Sequence, residues 1–220
     1  TVTAVDGDKV LAFGHRFLRK GNPNYFLTNA YVFTTVKGLE NSFKVGATGD
    51  ALGIINQDRG AGIAGQIGKF PYVIPLHVIV HEKTLNLNQD MYAQIIQDEQ
   101  LAPVLIQTAV FNAIDKTMDR TGPGSAKVKF SILATDMPGD TLTRENMYFS
   151  SGNISEMLTD ELYGAISLLT NNSFNPVDIL DVTVEVEVDD QHRTAKILQA
   201  SSGKQEARPG DTIELQVKLK

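Results

Sequence analysis

Cysteine is absent from the 220 residues, and its absence removes disulfide bonds, thiolate chemistry and cysteine-ligated zinc or iron–sulfur centres. It leaves the compartment open. No Lys/Arg block occurs, and a formal charge of -6 gives no electrostatic footprint for nucleic acid or an anionic membrane surface. No run approaches the stretch of about 18 apolar residues that a spanning helix needs, so no transmembrane segment is expected. A start Met and a signal peptide are also missing. The chain opens at Thr1, which reads as a processed or excised piece of a longer protein whose address label lies elsewhere. Histidine is scarce, with four in the chain. What is present, 42% hydrophobic and 21% charged residues, is the make-up of an ordinary globular protein with one large or two small cores.

Strand patterns dominate. Residues 1–5 and 10–13 flank "DGDK", whose Asp6-Gly7 marks a tight turn, so the chain opens as a β-hairpin with Gly14-His15 just past its second strand. Residues 25–36, 43–45, 51–56 and 73–80 are β-branched or aromatic, and glycines at 38, 46, 49, 53, 60, 62, 65 and 68 punctuate them. Short strands with glycine turns point to a small closed barrel or sandwich.

After residue 97 the period becomes helical. Leu101, Val104, Leu105, Thr108, Phe111 and Met118 are expected on one buried face, with Pro103 in the first turn and "TGPG" at 121–124 as the stop. A strand follows at 126–134. A second helix starts near Ser155 as N-cap, buries Leu158, Leu162, Ala165, Ile166 and Leu169, and stops at Asn171-Asn172. "DVTVEVEVDD" alternates between Val and acid or Thr, a strand with one wet face, expected to pair across "DDQH" with "RTAKIL". "RPGDTIELQVKLK" reads as a turn and a last strand. The fold class is α+β, β-dominated, with two helices supporting the sheets.

Several stretches could carry chemistry. His77 and His81 in "PLHVIVHE", beside Glu82, have the spacing of a zinc-binding helix, but the stretch is a strand, where positions four apart are separated by roughly 13 Å. No metal is expected there. His192 is a solvated turn residue. "GDALGIINQDRGAGIAGQIG", at 49–68, lacks the Gly-Lys-Ser/Thr of a phosphate loop and does not sit between a strand and a helix; its glycines serve bulges and close backbone approach. Asp50 and Asp58 are the acids in that region. His15, after a strand and a glycine, is compatible with a general base that activates a serine hydroxyl. No cofactor is expected.

The stretch "TVTAVDGDKVLAFGHRF" resembles the opening of the SpoIVB-type serine peptidase domain, with its Thr-rich strand, short turn, and second strand ending in Gly and the catalytic His. "GIINQDRGAGIAG" is similar to that family's Gly-x-Ile-Asn spacer closing in Gly-Ile-x-Gly, carried by Gly53, Ile55, Asn56, Gly62, Ile63 and Gly65. "VFTTVKG" and "ATGD" also fall where the family has a strand, a Lys-Gly turn and a Gly-acid pair. The likeness covers the first 80 residues and continues weakly to residue 135.

The resemblance implies a trypsin-like barrel core over 1–135, lacking upstream strands, and a helix plus C-terminal β-hairpin extension over 136–220. It implies His15 as general base with Asp58 or Asp50 as its acid, and an exported bacterial protein of the periplasm, cell envelope or medium. The family's Gly-x-Ser-Gly-x-Pro nucleophile segment is missing, and its nearest echo is Ser151-Gly152 in "YFSSGNIS". Three readings follow: an active serine hydrolase using His15 and Ser151; a peptidase-like scaffold that binds polypeptide or a neighbouring domain or fragment of the same protein; or a self-processed hydrolase with Thr1 as N-terminal nucleophile.

Overall fold

Alternating β-branched runs pair wherever one face can be covered, and the computed structural model, which describes residues 2–137, 139, 141–175, 177–204 and 206–220, sorts them into three sheets. The first holds β1 (Val2–Asp6), β2 (Lys9–Ala12), β3 (Tyr25–Val36), β4 (Phe43–Arg59) and β5 (Gly62–Ile67), in the order β1-β2-β5-β4-β3. It is a curled half-barrel. The expected closure is not made, since β1 and β3 are its two edges. The stretches expected as separate strands at 43–45 and 51–56 form one 17-residue strand, β4.

The second sheet holds β6 (Val73–Glu82), β7 (Leu87–Ile96), β8 (Gly124–Ala134), β9 (Thr141–Ser150) and β10 (Ile179–Asp189), in the order β7-β6-β10-β8-β9. Helices α1 (Ala102–Met118) and α2 (Asp160–Thr170) cover one face of it. The division between the sheets falls between Ile67 and Val73, not at residue 135: β8 and β9 lie on either side of that position and pair with each other.

β10 departs from expectation in its partners. It does have one wet face, but it does not pair with the segment after it. It lies between β6, parallel, and β8, antiparallel, and Val182, Val184, Val186 and Val188 are fully buried. A stripe of four valines gains most under a helical layer with both strand edges satisfied, a gain that a two-stranded hairpin cannot supply. The C-terminal hairpin forms instead from β11 (Ile197–Ser202) and β12 (Leu215–Leu219), every residue of which is exposed.

The helices also differ in detail. α1 has Pro103 in its first turn and ends before a left-handed Asp119, yet its buried face runs through Ile106, Val110, Ala113, Ile114, Thr117 and Met118. Of the residues expected on that face, Val104, Leu105 and Thr108 are exposed. α2 has Thr159 as its N-cap, while Ser155 begins a separate 3₁₀ turn and is buried, donating its hydroxyl to the Met118 sulfur at 3.3 Å. Leu158, Leu162 and Ile166 are buried and the helix ends at Asn171, as their spacing predicts. β5, β7 and β9 had no counterpart among the expected strands. No helix of the described residues is long and apolar enough to cross a membrane.

Candidate functional site

The loop that carries His15 is built from both ends by the first sheet. Asp6 pairs with Lys9 across Gly7-Asp8, with Gly7 at φ 57°, so the two-residue turn read from Asp6-Gly7 is formed. β2 pairs with β5 and ends at Ala12; Phe13 then turns into the left-handed region at φ 55° and starts the loop. A second non-glycine residue there, Arg19 at φ 60°, helps to close it. Left-handed conformations cost non-glycine residues energy and persist only where the surroundings over-determine them.

Asp58, near the end of β4, supplies that determination. It is buried, and its carboxylate accepts the backbone N–H groups of Phe17 at 2.7 Å, Leu18 at 2.6 Å and Lys20 at 3.2 Å. Its own backbone exchanges two further hydrogen bonds with Gly21. Burial pushes the carboxyl pKa up, but the N–H groups of Phe17, Leu18, Lys20 and Arg19 outweigh it and hold the group below its ordinary value. Asp58 is therefore a charged clasp on the loop.

The glycine-rich segment lets backbones meet behind this loop. A Cβ at Gly62 would lie 2.6 Å from the Phe13 carbonyl oxygen, and one at Gly65 would lie 2.3 Å from that of Ile54. Both positions need glycine for close approach, as the strand context of 49–68 suggests.

His15 is exposed at the rim of the loop. Its Nδ1–H donates to the Arg16 carbonyl at 2.7 Å, and its ring stacks on Phe13 with centroids 5.5 Å apart. In a serine peptidase that nitrogen faces the acid, whereas here both Asp58 oxygens face the loop backbone. Asp50 lies eight residues back along β4 from Asp58, at most about 27 Å away at the rise of an extended strand, and is exposed.

Ser151 is exposed just beyond β9. Pairing locates it: Tyr148 faces Ala126, Ala126 faces Val188, and Val188 faces Glu82, the end of β6 remote from the first sheet. The length of β6 puts about 30 Å between Ser151 and the end of the second sheet that the His15 loop reaches. Thr1 lies outside the described residues.

Sequence reasoning missed the other half of this region. Lys20 leaves the loop and reaches Asp98 at 3.2 Å and Glu99 at 2.7 Å, just before α1. The Tyr25 hydroxyl donates to Asp98 at 3.1 Å, and Asp98 accepts from the N–H groups of Gln100 and Leu101. Burial, then the neighbouring Asp98, pushes the Tyr25 hydroxyl pKa well up. Burial pulls the Lys20 pKa down, but hydrogen bonds to Glu99 and Asp98 leave it raised. This cluster ties the histidine loop to the start of α1. An Asp shortly before a helix that opens with Pro is a recognisable start signal, but its partners are more than seventy residues away in sequence.

The remaining histidines are engaged on the surface. His77 donates to Asp90 at 2.7 Å and stacks on Tyr92, while His81 donates to Asn88 at 2.6 Å. His192 stacks on Phe149. No cluster of three metal-ligating side chains occurs among the described residues. A separate concavity of about 390 Å³ lies on the first sheet, lined by Val10, Leu11, Asn56, Gln57, Ala64 and Gln66 among others; His15 is not in its wall.

No protein-family model matches the chain, and no curated protein or solved structure matches it either.

Proposed function

We propose that the chain is a SpoIVB-type peptidase-like module of a larger, exported bacterial protein, and that it binds polypeptide without cleaving it. The trypsin-like ancestry enters through the His15 and glycine motifs described above. The observation that carries the non-catalytic reading is the Asp58 carboxylate: its oxygens accept three loop N–H groups, and none of its hydrogen bonds goes to His15. The placement of Ser151 at the far end of the second sheet supports the same reading. The His15 Nδ1–H is engaged with the neighbouring Arg16 carbonyl, and among the described residues no carboxylate orients the ring and no hydroxyl is hydrogen-bonded to its other nitrogen, as a serine hydrolase would require.

The concavity of the first sheet suits a peptide. Its apolar floor and the amide side chains of Asn56, Gln57 and Gln66 offer donors and acceptors to an extended backbone. The test is a fluorophosphonate probe on the folded chain, with His15→Ala and Ser151→Ala controls. No labelling is expected; labelling that disappears in both variants overturns the reading in favour of a serine hydrolase.

A further inference from the structure

The two large sheets meet through a narrow polar contact. No ladder hydrogen bond runs between them, and among the described residues the apolar cluster that starts at Ile74 contains none from the first sheet. What crosses the junction is a small set of polar side chains. Lys20 reaches Asp98 at 3.2 Å and Glu99 at 2.7 Å, and the Tyr25 hydroxyl donates to Asp98 at 3.1 Å. Asn24 adds a two-way tie to the connection between the sheets, donating to the Tyr72 carbonyl at 2.8 Å and accepting the Tyr72 N–H at 3.2 Å.

That connection is short. It runs from Gly68 to Tyr72 as "GKFPY", with Lys69 and Phe70 exposed, and Gly68 lies in the left-handed region at φ 80° where an added Cβ would meet no other atom within 4 Å. Hinges are a few such loop residues that absorb backbone changes, and bodies that share a small polar interface move against each other unless something ties them. Residues 68–72 fit the hinge, and the Lys20 cluster is the tie. The Lys20 and Asp98 side chains are 16% and 6% exposed, which shelters the pair from the solvent screening that weakens the open surface pairs of the second sheet.

The loop that carries His15 is gripped by both bodies. From the first sheet the Asp58 carboxylate accepts the N–H groups of Phe17, Leu18 and Lys20, while from the second Asp98 and Glu99 hold the Lys20 ammonium. Phe13 and Arg19, both in left-handed conformations, lie near its two ends. Such conformations hold only under constraint, so release of one grip gives the loop a second arrangement. We infer that the His15 loop is a strap across a hinge: the Lys20, Asp98 and Tyr25 side chains latch the sheets together, and their release lets the first sheet swing about residues 68–72, drawing the loop away from α1 and uncovering the Asp98 carboxylate. The inference stands on the junction and is independent of the peptidase-like reading.

Spin labels on two engineered cysteines test it, since the chain has no native one. Ala61→Cys, in the exposed turn between β4 and β5, and Leu85→Cys, exposed in the connection between β6 and β7, place one label on each body. The labelled chain should give one narrow distance distribution by double electron–electron resonance. Adding Lys20→Met and Tyr25→Phe should broaden it by about twofold or more with the circular dichroism spectrum unchanged, whereas Lys20→Arg, which keeps a cation facing both carboxylates, should leave it narrow. Lys20→Met alone removes both ion pairs and decides the matter if the combined variant does not fold. A wide distribution before any of these side chains is changed overturns the latch. A distribution that stays narrow without them overturns the hinge, and broadening in Lys20→Arg equal to that in Lys20→Met overturns charge pairing as what holds the strap.

Discussion

The two large sheets have the same number of strands and opposite ways of holding together. In the second, β6, β8 and β10 send apolar side chains under α1 and α2, and the cluster from Ile74 to Val188 is continuous. In the first, Val10 and Ile63 are the buried hydrophobic residues, and most of β3 and β4 faces water. Strand propensity is not the difference, since both sheets are rich in Val, Ile and aromatic residues. Cover is. A sheet under helices is stabilised by burial, whereas the curled sheet relies on ladder hydrogen bonds, close backbone contacts at glycine and the Asp58 clasp.

The sharpest way to break that comparison is to remove equal side chains from the two regions. Leu162→Ala, in the α2 core, should cost about 3 kcal/mol in denaturant unfolding, while Leu39→Ala, in the connection between β3 and β4, should stay within about 0.5 kcal/mol. Equal losses would mean that the first sheet has a core of its own.

Next comes Glu161, which locks α2 to the edge strand β9. It accepts from Tyr148 at 2.6 Å, from Arg144 at 2.7 and 2.9 Å and from Asn146 at 3.2 Å. These hydrogen bonds, Tyr148 first, pull its pKa from an ordinary 4.5 to about 2. A lowered carboxylate stabilises the fold above its unfolded pKa and loses that contribution as pH falls through the folded one. Glu161→Gln should therefore cost about 1 kcal/mol at pH 7, after allowance for solvent screening. The difference from wild type should shrink as pH falls from about 4.5 toward 2. A pH-independent difference would show that the clasp acts through shape alone.

The smallest global effect is expected at Asp58. Asp58→Asn should leave the unfolding of the second sheet unchanged and speed hydrogen exchange at Phe17, Leu18 and Lys20. In the wild type those amide shifts should titrate below the ordinary aspartate range, in keeping with the lowered carboxyl pKa. Unchanged exchange would remove Asp58 from its assigned part in shaping the loop.

How much could be read in advance depends on the range of the interaction involved. The opening hairpin was legible because a two-residue turn and its flanking strands are contiguous. The position of His15 just past that hairpin was legible for the same reason, and Asp58 was visible as an acid beside the glycine segment. Its task was not, because nothing local distinguishes a carboxylate that orients a ring from one that accepts Phe17 and Leu18 N–H groups forty residues away. The link from Lys20 to Asp98 was hidden similarly. α1 shows a subtler limit: it is apolar around much of its circumference, so periodicity alone permits more than one buried face. β7 and β9 escaped notice because polar stretches such as "LNQD" and "TRENM" weaken the strand pattern that pairing with β6 and β8 imposes.

By itself, the order of residues determined the β-dominated class, the positions of two helices, the first turn and the alternation of β10, because each follows from neighbours within a few residues. Tertiary structure alone decided that β10 would lie between β6 and β8, that Ile106 and Val110 would face inward, and that the Asp58 carboxylate would accept the Phe17 and Leu18 N–H groups. The physical reason is that burial and long-range pairing are shared by segments distant in sequence. Their free energy exists only once those segments have met.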